Sequence, residues 1–348
     1  MTGVVVHVRE DVLEARVLAA LRDAGADDPS ATAATRAMMH ASRLGIDSHG
    51  VRLTAHYAKV MRSGRVNPRP EMTTRATAAA TALVDADNGL GHAAAYRAME
   101  LACEMARDAG IGAVGVVRSS HYGAAGAYAL AAAEAGFIGL ATCNANSSVA
   151  LHGGKAPFHG TNPIAVAAPA AGQKPWLLDM ASSALPLNRV RLYRTLGKSL
   201  PDGVAADADG QPTRDPAAVE MLMPLGGAEH GYKGAGLAGF ATLLSAVLIG
   251  APLDADLIPM FATGDFSTPR ELGQFCLAID PARFAGRARY DQAIMRYLQQ
   301  LRGSPARAGE AVLAPGDREW AIEAERQQTG IPIDAETAKF LGLDAAGA

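Results

Sequence analysis

The first 64 residues carry apolar side chains at helical spacing. A first helix after residue 9 is predicted by apolar residues one, three or four positions apart, namely Val12, Leu13, Val17, Leu18 and Leu21. A second helix reaches residue 43 with Ser30 as its N-cap, and residues 51–64 continue the helical pattern until Pro68 and Pro70 end it. We therefore expect a small helical N-terminal domain over residues 1–70.

From residue 71 the chain alternates between strand-like and helix-like segments. Strands are predicted near residues 81–85, 112–117, 137–143 and 163–169, and helices near 92–109, 123–135 and 234–249. This alternation is typical of an α/β fold. We expect one α/β domain over residues 71–300, followed by a C-terminal helix and tail over residues 301–348.

Composition and charge favour a globular protein that binds small molecules. The 348 residues are 49% hydrophobic, and 32 basic residues nearly balance 35 acidic ones, for a formal net charge of −3. No dense basic run occurs, so neither nucleic acid nor an anionic membrane surface is an expected partner. Glu134 and Lys233 interrupt the most apolar stretches, 124–142 and 233–252, so we expect no membrane-spanning helix.

The cysteines indicate a reducing compartment. Cys103, Cys143 and Cys276 are far apart and lack the paired spacing of a metal site. Reduced, buried thiols are the expected state. The N-terminal segment also lacks the long apolar core of a signal peptide, so we expect a cytoplasmic protein.

One glycine motif is misleading. Gly110-Ile111-Gly112-Ala113-Val114-Gly115 matches the dinucleotide-binding pattern G-x-G-x-x-G. That fingerprint requires the glycines to follow a strand and to open a helix, whose N–H groups meet the pyrophosphate. Here a predicted helix precedes the glycines and a predicted strand follows. We expect Gly110 to cap the helix and the motif not to bind phosphate.

The segment Gly45-Ile46-Asp47-Ser48-His49-Gly50-Val51-Arg52 concentrates groups that transfer protons or bind anions. Beside a serine and an aspartate, His49 can exchange a proton near neutral pH. Arg52 can hold a carboxylate through two parallel hydrogen bonds. An isolated D-S-H-G is also an ordinary turn or capping sequence, so the other motifs of the chain decide between the two interpretations.

A second histidine occurs in Ser119-Ser120-His121-Tyr122-Gly123, at the predicted end of a strand. Ligands collect at the carboxyl ends of strands in open α/β sheets, and the small residues from Gly123 onward permit close approach. A lone histidine is more often structural. The placement of His121 favours a role in proton transfer.

Three weaker motifs follow. Thr161 offers a hydroxyl in the turn Gly160-Thr161-Asn162-Pro163, and Asp179-Met180-Ala181-Ser182-Ser183 follows a buried strand with groups suited to a ribose or nicotinamide. Lys233 stands between glycines at an expected helix start, where a cation could meet a cofactor phosphate. An exposed lysine is the commoner outcome, and the order of the motifs along the chain carries more information than any one of them.

In that order the motifs resemble those of the malate/L-lactate dehydrogenase family. They are D-S-H-G-V, S-x-H-x-G, G-T-N-P-I-A, D-M-A-S-S, P-D-G-x-A-x-D-x-x-G-x-P-T-x-D-P, P-L-G-G and G-Y-K-G-x-G-L-A, over about residues 5–330. The resemblance implies a non-Rossmann NAD(P)-binding α/β fold like that of sulfolactate dehydrogenase. It also implies hydride transfer between NAD or NADP and the carbon next to a carboxylate, without a metal.

The resemblance assigns roles to individual residues. Ser48 and His49 would belong to the proton relay, His121 would be the other proton-transfer candidate, and Thr161 would offer a hydroxyl to the substrate. The implied cofactor-binding residues are Tyr122, Gly123, Asp179, Met180, Ala181, Lys233, Pro315, Gly316 and Asp317. A homodimer with the active site near the subunit interface is implied as well, and the Ala- and Leu-rich segment 234–249 offers an apolar surface for it.

Two departures from the family pattern bear on the substrate. Many members have S-H-G-x-x-R, whereas Arg52 stands one position earlier and Leu53 takes the usual place, a rotation of about 100° on a helix. Pro186-Leu187-Asn188-Arg189 replaces the usual A-x-G-K, A-x-G-E or A-x-G-D. Near the substrate, Arg189 would favour anionic groups and disfavour a protonated cyclic iminium.

The leading hypothesis is therefore an NAD(P)-dependent oxidoreductase that interconverts a 2-oxo acid and a 2-hydroxy acid. The first alternative is a ketimine reductase acting on piperideine-2-carboxylate or pyrroline-2-carboxylate. The second is a nucleotide-binding protein without activity, against which the presence of both His49 and His121 argues. Both NAD and NADP fit the sequence.

Overall fold

The computed structural model describes residues 5–260 and 263–343. Its α-helices are α1 (Glu10–Asp23), α2 (Asp28–Arg43), α3 (Thr54–Arg62), α4 (Gly91–Ala109), α5 (Gly126–Glu134), α6 (Leu187–Thr195), α7 (Gly227–Thr242), α8 (Arg287–Arg302), α9 (Asp317–Thr329) and α10 (Ala335–Phe340). Its strands are β1 (Val5–Val8), β2 (Thr73–Ala78), β3 (Thr81–Asp85), β4 (Ile111–Ser119), β5 (Ile138–Cys143), β6 (Val149–Ala150), β7 (Pro157–His159), β8 (Ile164–Ala168), β9 (Trp176–Met180), β10 (Ala205–Ala206), β11 (Met221–Leu222), β12 (Leu272–Ile279) and β13 (Ile331–Asp334).

A mixed seven-stranded sheet lies at the centre, in the order β2-β3-β4-β12-β5-β8-β9. Strands β3 and β4 pair in parallel across the crossover helix α4, and the other neighbours pair antiparallel. Alanine-rich faces of α4 and α5 pack on the sheet and form the largest apolar core. The four strands predicted after residue 71 all belong to this sheet, which confirms the α/β prediction. The central strand β12 was not predicted.

The misleading glycine motif lies where a helix ends and a strand begins. Gly110 ends α4 in the left-handed region, with φ +83°, and its N–H bonds to the carbonyl of Ala106. A Cβ at Gly112 would lie 2.1 Å from the carbonyl oxygen of Ala102, so this glycine lets β4 pack closely against α4. The backbone conformation at Gly110 and the close packing at Gly112 therefore account for both glycines, as expected for a motif that does not open a helix.

The helical N-terminal unit is closed by the C-terminal end of the chain. Helices α1, α2 and α3 form as predicted, but the N-cap of α2 is Asp27, whose carboxylate accepts the N–H of Ser30, so the expected Ser30 cap is wrong. Strand β13 pairs antiparallel with β1, and its residues Ile331 and Ile333 are buried in the core of the N-terminal helices. The expectation of a peripheral tail after residue 301 is therefore wrong for this segment.

A smaller sheet and helix α7 lie beyond the central sheet. The sheet has the order β10-β11-β6-β7, and α7 begins at Gly227 and continues into a π-helical turn, Leu243–Val247. Lys233 is the seventh residue of α7, so its expected position at a helix start is wrong. A Cβ at Gly234 would meet the backbone of Leu225 at 2.3 Å, so this glycine serves the packing of α7 on the preceding chain.

Residues 1–4 and 344–348 of the predicted N-terminal and C-terminal units lie outside the described residues. The division of the chain into domains at residues 70 and 300 stays a prediction. Over the described ranges, no helix has both the length and the apolar character needed to cross a membrane.

Candidate active site

A 3₁₀ turn, Asp47–His49, positions the first candidate histidine between α2 and α3. The carboxylate of Asp47 accepts two hydrogen bonds from the guanidinium of Arg326 on α9, at 2.5 and 2.9 Å. The Ser42 hydroxyl accepts the N–H of Val51 at 3.0 Å and holds the other side of the turn. Asp47 therefore fixes the loop rather than facing a substrate, and His49 is presented from an anchored backbone.

The second histidine follows directly on the end of β4. The hydroxyl of Ser120 donates to the carbonyl of Gly89 at 2.8 Å and accepts the N–H of Gly91 at 3.0 Å. The buried amide of Gln274 on β12 donates to the Ser119 hydroxyl at 2.8 Å and to the carbonyl of Ser120 at 3.2 Å. The backbone that carries His121 is thus held by two neighbouring elements.

These elements bring together four rings that we call the histidine cluster: His49, Tyr57, His92 and His121. The rings of His49 and His121 are stacked with centroids 5.8 Å apart. The Tyr57 hydroxyl lies 2.7 Å from Nδ1 of His121, and the ring of Tyr57 packs edge-on against His92 at 4.8 Å. The Ser48 hydroxyl lies 2.8 Å from Nδ1 of His49. The predicted Ser48, His49 and His121 are therefore neighbours in space.

Burial keeps the histidine cluster uncharged. Burial lowers the pKa of His121 well below its usual value, and the neighbouring His49 and Arg270 lower it further. Burial and then Arg52 lower the pKa of His49, and burial alone lowers the pKa of His92 to about 3. Burial also raises the pKa of Tyr57, so this phenol stays protonated. At neutral pH the cluster consists of neutral imidazoles and one phenol.

This arrangement lets His121 exist in either neutral tautomer. The Tyr57 hydroxyl can donate to Nδ1 or accept from it, so Nε2 of His121 can carry a proton or accept one. Among the described residues, Nε2 has no hydrogen-bond partner in either His49 or His121. The cluster can therefore give a proton to a bound molecule, or take one from it, at two neighbouring nitrogen atoms.

The candidates downstream converge through backbone hydrogen bonds. The carbonyl of Thr161 accepts both the N–H and the hydroxyl of Ser182, at 2.8 and 2.9 Å. The carbonyl of Ser182 accepts the N–H of Leu225 at 2.8 Å, and the carbonyl of Leu225 accepts the N–H of Gly234 at 3.1 Å. Thr161, the segment from Met180 to Ala181 and Lys233 therefore lie on one connected part of the structure, with Lys233 exposed on α7.

Asp179 binds the helix that follows His121. Its carboxylate accepts the N–H of Gly126 at the start of α5, at 2.9 Å. Burial raises the pKa of Asp179 to about 6, and the hydrogen bond from Gly126 only partly offsets this. The N-terminus of α5 is thus already bonded to a carboxylate of this chain. Contact between Asp179 and the cofactor stays a prediction, and in this structure the residue bonds to the start of α5.

Three other predicted cofactor-binding residues, Tyr122, Gly123 and Asp317, contact other parts of the protein. The ring of Tyr122 is buried and stacked on Tyr128, so its side chain does not face the site, whereas Gly123 lies beside the ring of His92. Asp317 forms a bidentate ion pair with Arg302, whose Nε and Nη2 donate to its two carboxylate oxygens at 3.0 and 2.7 Å.

Pro315 and Gly316 border the sheet at β9. The carbonyl of Pro315 accepts the N–H of Leu177 at 3.1 Å, and Gly316 begins α9 against Leu177.

The two predicted substrate arginines are exposed. Arg52 lies on a 3₁₀ turn, Val51–Leu53, and its charge lowers the pKa of Asp334 as well as that of His49. Arg189 is near the start of α6, with its guanidinium 5.9 Å from the ring centroid of Tyr193. Neither side chain forms a hydrogen bond within the described ranges, and their contacts with substrate stay predictions.

A second buried polar group was missed by sequence reasoning. We call it the aspartate cluster: His159, Gly160, Asn162, Thr242 and Asp254. One carboxylate oxygen of Asp254 is within hydrogen-bond distance of Nδ1 of His159 at 3.2 Å, the N–H of Gly160 at 3.0 Å, the amide of Asn162 at 2.7 Å and the hydroxyl of Thr242 at 3.1 Å. Burial raises the pKa of Asp254, but the bonds from His159, Asn162 and Gly160 outweigh it and hold the pKa below its usual value.

His92 and Arg270 were also missed. His92 stands in the alanine-rich helix α4, where nothing local distinguishes it from a core residue, and both of its buried ring nitrogens lack a partner among the described residues. Arg270 precedes the unpredicted strand β12. Over the same residues, no group of three or more His, Cys, Asp or Glu side chains is arranged to hold a metal ion.

Comparison with known proteins places the sequence and the fold in one class, the malate and lactate dehydrogenases. Malate dehydrogenase from Pyrococcus abyssi is 34% identical over 335 residues, covering 94% of this chain and 91% of that protein. NAD(+)-dependent ureidoglycolate dehydrogenase from Escherichia coli K12 is 33% identical over 326 residues, covering 93% and 92%. Delta(1)-pyrroline-2-carboxylate reductase from Pseudomonas fluorescens is 34% identical over 310 residues, covering 89% and 90%.

The structure and the family model agree. The crystal structure of malate dehydrogenase from Entamoeba histolytica superposes with a TM-score of 0.91, at 28% identity and 97% coverage of both chains. The model of the malate/L-lactate dehydrogenase family matches residues 8–342. The chain belongs to the malate/L-lactate dehydrogenase family, which confirms the resemblance seen in its motifs.

Proposed function

We propose that this protein is an NAD(P)-dependent oxidoreductase that interconverts a 2-oxo acid and a 2-hydroxy acid. The observation that carries the proposal is the histidine cluster, in which two neighbouring neutral imidazoles each leave Nε2 without a partner among the described residues. Reduction of a carbonyl needs one hydride and one proton, and the cluster is built to handle the proton. Membership of the family supports the same reaction.

The residues fit a nicotinamide cofactor beside this cluster. Both ring nitrogens of His92 are buried and unpartnered among the described residues, and Gly123, which has no side chain, lies directly beside this ring. NAD(P)H would supply the hydride when bound. The segments around Thr161, Ala181 and Lys233 would hold it, with the exposed Lys233 as the cation that would meet a phosphate.

The chain itself provides the proton transfer and its control. His121 gives or takes the proton at Nε2, and Tyr57 sets which tautomer is present through Nδ1. Ser48 orients His49 through its hydroxyl. Because burial lowers the pKa of His121, the free enzyme has this residue ready as a base, which suits oxidation of a hydroxy acid.

The test is a screen of NADH and NADPH oxidation with pyruvate, oxaloacetate, 2-oxoglutarate and piperideine-2-carboxylate. We expect turnover of at least one 2-oxo acid with one of the two nucleotides. Nucleotide binding without turnover of any of the four would contradict the proposal and favour a protein that only binds nucleotides.

A ketimine reductase is the second candidate, because a relative of 34% identity is a Delta(1)-pyrroline-2-carboxylate reductase. The same proton would then go to an imine nitrogen. If Arg189 approaches the substrate, it disfavours a protonated iminium. A preference for piperideine-2-carboxylate in the screen would select this candidate and exclude a specificity role for Arg189.

The proposal includes a homodimer. Helix α7 and the residues after it expose large apolar side chains, which are Tyr232, Leu237, Phe240, Leu243, Val247 and Leu248. A surface of this kind is typical of a subunit interface. Light scattering of the active protein should give about twice 35.9 kDa, and an active monomer would refute the dimer.

Three buried free cysteines also fit the proposed cytoplasmic location.

A further inference from the structure

Arg270 lies opposite His121 at the edge where two strands end. Leu272, the first residue of β12, pairs with Ser119, the last residue of β4, in antiparallel register. Arg270 stands two residues before Leu272 and His121 two residues after Ser119, so both leave the ladder at the same end. Burial, His49 and then the charge of Arg270 lower the pKa of His121, as expected for a cation near that ring. Glu271 has φ +52°, an uncommon conformation for a residue with a side chain. The kink at Glu271 lies at the end of the ladder, between Arg270 and the first paired residue, Leu272.

The guanidinium of Arg270 is buried without a counter-ion among the described residues. Only 6% of the residue is exposed. Nε donates to the carbonyl of Ile258 at 2.8 Å, and Nη2 donates to Oδ1 of Asn146 at 2.8 Å. Within those described ranges Nη1 has no hydrogen-bond partner, and no carboxylate lies within 4 Å of the guanidinium. Burial is the largest cause of the low pKa of both His121 and His56, and the charge of Arg270 lowers both further, that of His56 to about 4.

A fixed framework holds this charge beside the histidine cluster. Buried Arg65 donates to the carbonyls of Thr268, Met260 and Asp265, in the segment that leads to Arg270. Lys59 of α3 packs its ammonium 3.4 Å from the ring centroid of Phe266 in the same segment. Helix α3 carries Tyr57, so the proton-transfer group and the buried cation are tied to one another.

A buried cation with a free donor is costly unless an anion completes it. The bound 2-oxo acid brings one, and its carboxylate is adjacent to the carbon beside His121. We propose that Arg270 binds the carboxylate of the substrate, with the amide of Asn146 as a second donor, an inference that rests on the proposed function. Arg270 then does what the sequence suggested for Arg52, which is exposed, while Leu53 fills the usual arginine position.

The test compares a charged substrate with an uncharged analogue. For the best 2-oxo acid and for its primary amide, kcat/KM is measured in wild type, Arg270→Gln and the matched control Arg75→Gln, which removes an exposed arginine of β2. We expect Arg270→Gln to raise KM for the acid at least 30-fold and to reduce the preference for acid over amide at least tenfold. Arg75→Gln should change neither, and the Kd for the reduced nucleotide should stay within threefold in both.

Asn146→Asp gives an independent test that does not remove the buried charge. The new carboxylate would stand where the amide oxygen accepts from Nη2, and would satisfy the guanidinium in place of the substrate. We expect KM for the acid to rise at least tenfold and KM for the amide to stay within threefold. Millimolar guanidinium chloride should partly restore activity on the acid to Arg270→Ala, which a purely structural role would not allow.

The outcomes separate this inference from the proposed function. If wild type turns over none of the 2-oxo acids, the proposed function fails. If wild type is active, and folded Arg270→Gln and Asn146→Asp both keep the wild-type preference for acid over amide, the inference about Arg270 is overturned while the function stands. If Arg270→Gln does not fold, the result for Asn146→Asp decides.

Discussion

The histidine cluster and the aspartate cluster are both buried and polar, but they differ in how well the protein satisfies them. In the aspartate cluster one oxygen of Asp254 has four partners, from β7, its following loop and α7. In the histidine cluster His92 has two unpartnered nitrogens, and the Nε2 atoms of His49 and His121 lack partners among the described residues. The aspartate cluster holds an ionised carboxylate, because hydrogen bonds lower the pKa of Asp254, whereas burial keeps the imidazoles of the histidine cluster neutral.

The difference separates structure from chemistry. A buried carboxylate oxygen with four partners stabilises one arrangement of the chain, although the other oxygen of Asp254, Oδ1, has no partner among the described residues. Neutral imidazoles with free nitrogens contribute less to stability and remain able to exchange a proton. Substitutions in the two clusters should therefore act on different measurable quantities.

The largest effect is expected from His121→Ala. If His121 is the proton-transfer group, kcat should fall by about 10²–10⁴-fold, because general acid–base catalysis has that magnitude. The free energy of unfolding should change little, since His121 makes one side-chain hydrogen bond. Steady-state kinetics and urea unfolding measure the two quantities. Wild-type kcat in both His121→Ala and His49→Ala would show that the cluster is not catalytic.

Asp254→Ala should show the opposite pattern. His159, Gly160 and Asn162 would lose an acceptor in a buried site, so we expect the free energy of unfolding to fall by about 3–5 kcal/mol, with kcat per folded molecule within threefold of wild type. Asp256→Ala, which removes an exposed carboxylate two residues away, is the control and should change stability by less than about 0.5 kcal/mol. Equal stabilities of the two variants would remove the contrast between the clusters.

Asp179 gives an intermediate case, because its carboxylate is partly buried and has one donor among the described residues. Its pKa in the folded protein is about 6, above the usual 3.8, so its contribution favours folding at low pH and is lost as the pH rises through about 6. Asp179→Asn keeps an oxygen for the N–H of Gly126 and does not ionise. The variant should match wild type at pH 4 and exceed its free energy of unfolding by about 1–2 kcal/mol at pH 7.5. Urea unfolding at both pH values would show the reverse if the charge of Asp179 were stabilising.

The smallest effect concerns the pH dependence of oxidation. A base must be unprotonated, and the pKa of His121 lies well below 6.5, so kcat/KM for the hydroxy acid should fall only at pH values below 6.5. The rate at pH 6 should therefore be within about twofold of that at pH 8, whereas a base with the ordinary pKa would lose about three quarters of its activity. A half-maximal rate at or above pH 6.5 would contradict a buried, neutral His121.

Local sequence patterns predicted most of the sheet and pointed to the candidate histidines His49 and His121, because these depend on periodicity and on motifs that are continuous in the chain. Strand β13 and its pairing with β1 were missed because a four-residue strand has little pattern of its own and its partner is more than 320 residues away. The exposure of Arg52 and Arg189 depends on the rotation of short helical turns, which the sequence did not specify. Arg270 has no motif, and only the pairing of β12 with β4 brings it to His121.

The most direct test of the account follows the transferred hydrogen. Wild-type protein is supplied with reduced nicotinamide cofactor carrying two deuterium atoms at C4, in ordinary water, and the product of the best substrate is analysed by mass spectrometry. The account predicts one deuterium on the carbon next to the carboxylate, with the proton on oxygen or nitrogen coming from the solvent through the histidine cluster. Product without deuterium at that carbon, or deuterium found there only when the reaction runs in deuterated water, would contradict hydride transfer.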